Sequence, residues 1–212
     1  MPEEFLLLFP FHLKTQATGA MSNFSRLRCG VSRTGRRSLL AALVLLLLSV
    51  AGPVLATEVH PAGATLLINR EYRDALLAGI RGANSRIIVS CYLFKITKFP
   101  DNQPRQIANE LIRARQRGVN VTVILEQSRN ERDFLNRENR ATAALLSRNG
   151  IETRFDSLRK TSHAKVVVID DRYVFLGSHN LTHSALTHNN ELSVRINSPE
   201  MARKITSYLG QL

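Results

Sequence analysis

With 212 residues, 44% of them hydrophobic and 22% charged, the chain can bury one sizeable core and has the balance of a globular protein rather than a disordered one. Its 29 Lys and Arg against 17 Asp and Glu give +12, a surplus that favours polyanionic partners such as nucleic acid or anionic lipid headgroups. Cys91 is the one cysteine beyond the N-terminal stretch that holds Cys29, which excludes an intrachain disulfide there and any zinc-binding cysteine framework.

In chain order, five arginines between Arg26 and Arg37 precede an apolar run from Leu39 to Ala51, followed by Gly52-Pro53 and Val54-Leu55-Ala56. This is the three-part layout of a secretory signal peptide, with cleavage expected between Ala56 and Thr57 and Met21 an alternative start. Export to the periplasm or exterior follows; if cleavage failed, residues 39–56 would serve as a membrane anchor. Six basic and two acidic residues fall within 1–56, so residues 57–212 keep 23 and 15, a net of +8.

From Thr57 onward helix and strand periodicities alternate. The expected elements are a helix over 71–83, a buried strand over 86–92, a loop over 95–104 and an amphipathic helix over 106–117 that Gly118 ends. A strand over 119–125, a polar loop from Ser128 to Arg140 running into a helix that stops at Asn149-Gly150, and a short strand over 151–155 come next. Strands over 165–169 and 173–176 are joined by Asp170-Asp171-Arg172 as a tight hairpin turn. A strand over 191–196 follows, and Ser198-Pro199 opens a closing helix. Early βα alternation followed by a hairpin points to an α/β/α sandwich with a mixed, largely parallel central β-sheet.

One constellation carries chemistry: His163, Lys165, Asp170, Gly177, Ser178 and Asn180, spaced as H-x-K-x4-D-x6-G-S-x-N. Residues two apart in a strand face one side, so His163 and Lys165 project together, and the hairpin returns Ser178 and Asn180 to the same point. An imidazole surrounded by an ammonium, a hydroxyl and an amide is a nucleophile among donors, suited to a phosphoryl group that gains negative charge when attacked. With an ordinary pKa near ~6.5, a neutral imidazole needs no metal to act at physiological pH, but one ring nitrogen needs an acceptor. Glu191 is the candidate. Asp170 is a candidate catalytic helper, or a turn-forming residue with a structural ion pair.

The spacing resembles the signature of the phospholipase D superfamily, with each fixed position filled. The resemblance implies a covalent phosphohistidine on His163, with Lys165, Ser178 and Asn180 binding the phosphate and no cofactor or metal. Family enzymes use a second copy of the motif to supply the acid and base. Here the other H-x-K, His12-Leu13-Lys14, has Gly19 where Asp is required. The body therefore resembles the short bacterial endonucleases of the superfamily, which implies a homodimer with one His163 from each subunit. Ala164, His179 and Leu181 depart from what many relatives carry, and these bear on substrate choice.

Lys95 and Lys98 in one loop, with Arg129 and Arg132 in another, are candidates for a substrate rim, against the plainer reading of a solvated charged surface. Tyr72 and Tyr92 read as core. The expected function is a metal-independent endonuclease on DNA, with RNA a further substrate. The competing readings are a phospholipase D acting on lipid headgroups and a non-catalytic nucleic-acid-binding module.

Overall fold

The computed structural model describes residues 62–212, so the leader and its cleavage point lie outside the described residues. Twelve elements follow in order: β1 (Gly63–Ile68), α1 (Arg70–Gly82), β2 (Arg86–Cys91), α2 (Gln103–Gln116), β3 (Asn120–Leu125) and α3 (Phe134–Arg148). After them come β4 (Glu152–Phe155), β5 (Lys165–Ile169), β6 (Tyr173–Gly177), α4 (His183–Thr187), β7 (Leu192–Asn197) and α5 (Pro199–Leu209). The strands form one seven-stranded sheet in the order β1-β7-β6-β5-β2-β3-β4.

The sheet is mixed, but it is not largely parallel. Only β2–β3 and β3–β4 run parallel, and the other four neighbouring pairs are antiparallel. Parallel pairing needs a helical crossover. Such crossovers join neighbours only at α2 and α3, whereas the β5–β6 hairpin and the return through α4 to β7 reverse direction.

Apolar spacing explains which faces close. Tyr72, Leu76, Leu77 and Ile80 line one side of α1, and Ile107, Ala108, Leu111 and Ala114 line one side of α2. With Ala143 and Leu146 of α3 and Leu186 of α4 they pack on one sheet face against Ile87, Val89, Val167, Ile169 and Phe175. The opposite face has a smaller cluster. There Ala202 and Leu209 of α5 meet Ile88, Ile124, Val166, Val168 and Val174. Val166–Ile169 are buried throughout, as expected of a central strand covered on both sides.

Caps set the helix boundaries. The Asn102 side chain accepts from Arg105 N–H at 3.1 Å, with Pro104 in the first turn, so α2 starts three residues before the periodicity suggested. Asp133 accepts from Leu135 N–H at 3.0 Å and opens α3, and Ser198 caps α5 through Met201 N–H at 3.3 Å. Gly118 and Gly150, just past α2 and α3, have φ of 94° and 78°, a left-handed conformation that glycine adopts without Cβ strain. Among the described residues, no helix is long and apolar enough to cross a membrane.

Candidate active site

The motif lies where β5 begins and β6 ends. Val166 is registered opposite Leu176, so the chain leaving β6 runs beside the chain entering β5. On the other side of β6, Gly177 permits the close approach of β7. A Cβ there would fall well inside contact distance of the Ser193 hydroxyl and the Leu192 carbonyl on β7.

His163 is exposed, two residues before β5, and its backbone is held on both sides. Tyr92 N–H donates to the Ala164 carbonyl at 3.1 Å, and Ser162 N–H donates to the Glu126 carboxylate. The Tyr92 ring meets the imidazole edge-on, with centroids 4.7 Å apart. Lys165 is buried. Its Nζ donates to the His163 carbonyl at 3.0 Å, stands 3.4 Å from His163 Nδ1, and lies 5.3 Å from the Tyr92 ring centroid. Burial lowers the Lys165 ammonium below the ordinary lysine value, opposed by Cys91 and the Glu191 carboxylate. Burial also pushes the neighbouring Cys91 thiol up to about 12, so it is inert.

Asn180 sits on a segment strapped to the loop after β2, where Leu181 N–H donates to Leu93 C=O and Lys95 N–H to Leu181 C=O, each at 3.0 Å. Its Oδ1 is buried without a hydrogen-bond partner among the described residues. The Ser178 hydroxyl donates to the Glu191 carboxylate and accepts from Leu192 N–H at 3.1 Å.

Two expected contacts are corrected. No hydrogen bond joins Glu191 to His163 in this structure; its carboxylate takes the Ser178 hydroxyl and the Asn189 amide at 3.1 Å, and its charge acts on Lys165 instead. The reason lies in the sheet order. Glu191 immediately precedes β7 and His163 lies just before β5, with β6 between them. Asp170 does not join the site either. It follows the far end of β5, roughly 16 Å from Lys165 at ~3.3 Å per residue. There it accepts from the backbone N–H groups of Asn84, Ser85 and Arg86 at 3.0, 2.8 and 3.1 Å, and from the Ser85 hydroxyl at 2.9 Å. Burial opposes ionisation of Asp170, but these donors outweigh it and hold the carboxyl below the usual range.

His179, at the variable position of the motif, is a core residue. It stacks on Tyr72 with centroids 4.3 Å apart, and burial lowers its pKa. Nε2 lies 2.9 Å from the Asn69 carbonyl and must donate to it, which leaves Nδ1 to accept from the Ser193 hydroxyl at 2.7 Å. Both nitrogens are committed. Among the described residues, no cluster of three or more His, Cys, Asp or Glu is arranged to hold a metal ion.

A cleft of about 320 Å³ opens beside Tyr92, lined by Glu126, Arg129, Leu135, Leu158 and Arg159. A second hollow of about 380 Å³ is lined by Lys95, Phe99, Thr182 and His183. Of the rim candidates, Arg129 and Lys95 therefore line cavities, whereas Lys98 and Arg132 are exposed on the adjoining loops. Tyr92, expected as core, is only partly buried and lies against the histidine. Glu126 escaped the sequence reading because a single acid after an apolar strand carries no spacing signal.

Residues 76–212 match the family described as "Cardiolipin synthase, PLD-like domain". The curated phospholipase D of Rickettsia conorii is 33% identical over 103 residues, 49% of this chain and 47% of that protein. The chain thus spans about half the length of the curated relatives it matches. Nuc from Salmonella typhimurium, a phospholipase D family member, superposes with a TM-score of 0.59 at 27% identity, covering 71% of this chain and 93% of that one. NucT from Helicobacter pylori shares the fold, with a TM-score of 0.55 at 22% identity over 71% of this chain and 95% of that one. A histidine and lysine at the head of a central strand, with an asparagine just beyond its hairpin partner, thus occur in a chain that belongs to the phospholipase D superfamily.

Proposed function

We propose that the chain is a metal-independent phosphodiesterase that cleaves nucleic acid as an endonuclease, with His163 as nucleophile. The observation that carries this reading is the exposed imidazole with a buried ammonium 3.4 Å from one ring nitrogen. A ring nitrogen attacks phosphorus, the P–N bond forms, and the P–O bond to the leaving alcohol breaks as that oxygen takes a proton. Water then attacks the phosphohistidine, the P–N bond breaks, and a base takes the water proton. Lys165 and Asn180 stabilise the charge on the phosphoryl oxygens.

One chain supplies one such histidine, so the acid and base come from His163 of a second copy in this reading. The uncovered sheet face supports that occupant. α5 covers only part of it, and Leu66, Ile68, Leu176 and Leu192 remain 56%, 46%, 41% and 58% exposed. Leu176 and Leu192 lie within two residues of Ser178 and Glu191, so a partner on this patch would abut the site.

The net +8 of residues 57–212 and the cleft arginines favour a polyanionic strand. The name of the curated Rickettsia relatives favours a phospholipid substrate as the second reading. Export by the N-terminal leader is part of the proposal. The purified chain incubated with plasmid and single-stranded DNA in excess EDTA, beside a His163→Asn control, tests it. Cleavage that survives EDTA and is lost in the control is expected. Turnover of phospholipid vesicles without DNA cleavage would replace the nuclease reading with the phospholipase one.

A further inference from the structure

We infer that Glu126 is a positioning residue for His163, acting through the backbone N–H of Ser162. The inference rests on His163 being the nucleophile. Glu126 leaves the end of β3 and is 3% exposed. Its own backbone is fixed, with the N–H on Cys91 C=O and the carbonyl accepting from the Asn139 amide at 2.9 Å. Its carboxylate accepts the N–H of the residue immediately before the nucleophile.

That contact has a specific geometric consequence. The segment from Asp156 to Ala164 has no regular secondary structure and carries His163 to the head of β5. The chain leaving β3 grips it at three points: Gln127 Nε2 on Asp156 C=O at 2.7 Å, Arg129 Nε on Leu158 C=O at 2.9 Å, and Glu126 on Ser162. Only the last adjoins His163. Together with Tyr92 N–H on Ala164 C=O, it anchors the Thr161–Ser162 and Ala164–Lys165 peptides, one residue removed from His163 on each side. Between these anchors the His163 carbonyl accepts from Lys165 Nζ at 3.0 Å, and the imidazole lies between Tyr92 and Lys165.

A carboxylate is a costly choice for this slot. Burial raises its pKa, and the neighbouring Asp156, itself 3% exposed, raises it further against the N–H groups of Ser162 and Gln127. Packing alone is met by a neutral side chain. What a carboxylate adds is a strong acceptor at the right reach for Ser162 N–H. No hydrogen bond joins it to the side chain of His163, Lys165 or Asn180, so its action on the reaction passes through the backbone.

The test is a rapid-quench burst with bis(p-nitrophenyl) phosphate, whose p-nitrophenolate leaves without an acid. In this step the histidine P–N bond forms and the P–O bond to p-nitrophenolate breaks. The full chain is compared with Glu126→Gln, Glu126→Asp and Glu126→Ala, each checked for folding by circular dichroism. Gln keeps an oxygen at the same reach, whereas Asp keeps the charge but is one methylene short. The expected burst rates are within ~5-fold of the parent for Gln and ~100-fold lower for Asp and Ala, with KM unchanged, as a displacement of ~1 Å would produce. If Ala does not fold, the Gln and Asp pair decides. An unchanged burst rate in Asp and Ala, or Asp faster than Gln, overturns the inference. A parent chain that folds but forms no phosphoenzyme overturns the nucleophile assignment itself, and this inference with it.

Discussion

At the residue scale, carboxylates of similar sequence prominence do different work because of where the strands deliver them. Asp170 stands inside the motif, yet its donors are the backbone N–H groups that start β2. Asp170→Asn replaces a charged acceptor of these bonds with a neutral one, at an expected cost of about 1–3 kcal/mol. The turnover of the folded variant should stay within ~3-fold of the parent, since the group lies about 16 Å from Lys165. The pH dependence follows from its lowered folded pKa. The stabilisation is fully present above the ordinary aspartate value of ~3.9 and is lost as pH falls through the folded value. Melting midpoints of parent and variant should thus differ by several degrees at neutral pH and converge in acid. A gap that persists in strong acid would contradict the assignment. The meeting of His163 and Lys165 was legible because alternation at a strand's end is short-range geometry. The place of Asp170 in the turn at the far end of β5 was legible from the β5–β6 hairpin, but its motif spacing also suggested a catalytic role, which the backbone donors of β2 replace with a structural one. Glu126 and Tyr92 were not legible, because β2, β3 and β5 become neighbours only in the folded sheet.

At the element scale, α3 does more than cover the sheet. Asn139 is fully buried, and its Nδ2 donates to Tyr92 C=O at 2.8 Å and Glu126 C=O at 2.9 Å while its Oδ1 accepts from Phe94 N–H at 2.9 Å. One amide on α3 therefore ties together the two strand exits that flank His163. Three residues earlier Asn136 likewise binds Ser128 and Asn130, and three later Thr142 donates to Phe94 C=O at 2.6 Å. The three polar residues follow the helical repeat, so they share one stripe. Asn139→Leu keeps the volume but leaves backbone groups unpaired, at an expected cost of about 3 kcal/mol, or ~6–12 °C in Tm for a domain of this size. A melting curve checks it, and a variant as stable as the parent would show that water replaces the amide. Most elements were legible from periodicity and caps: β5 starts and ends as expected, and α5 opens at Ser198-Pro199. β1 and α4 were missed. β1 is an edge strand whose residues are exposed except Leu67, so no buried alternation announces it, and α4 is only five residues long. The expectation of a largely parallel sheet failed because early crossovers were extrapolated to strands joined by short returns.

At the scale of the whole molecule, the uneven covering of the sheet meets the incomplete chemistry. Four helices close one face, and α5 closes only part of the other. Leu66 and Leu176 both pair with Val194 across β7, and Ile68 pairs with Leu192, so these side chains line adjacent rows of the uncovered face. A two-fold axis through this patch would repeat each contact and bring a second His163 toward the first. Leu176→Glu with Leu192→Glu places carboxylates on the patch, and the symmetry doubles each of them across the axis. Like charges facing each other in a desolvated contact cost several kcal/mol, so dimerisation should weaken by at least ~100-fold. Sedimentation of the parent should give a dimer and that of the double variant a folded monomer. The p-nitrophenolate burst, which needs no acid, should survive in the monomer within ~10-fold if His163 and Lys165 stay in place. Steady-state DNA cleavage, which in the proposed dimer draws its acid and base from the partner's histidine, should fall by at least ~100-fold. A monomer that still cleaves DNA at the parent rate would mean that one chain holds its own acid and base, and the search for them would return to Glu191 and the cleft beside Tyr92.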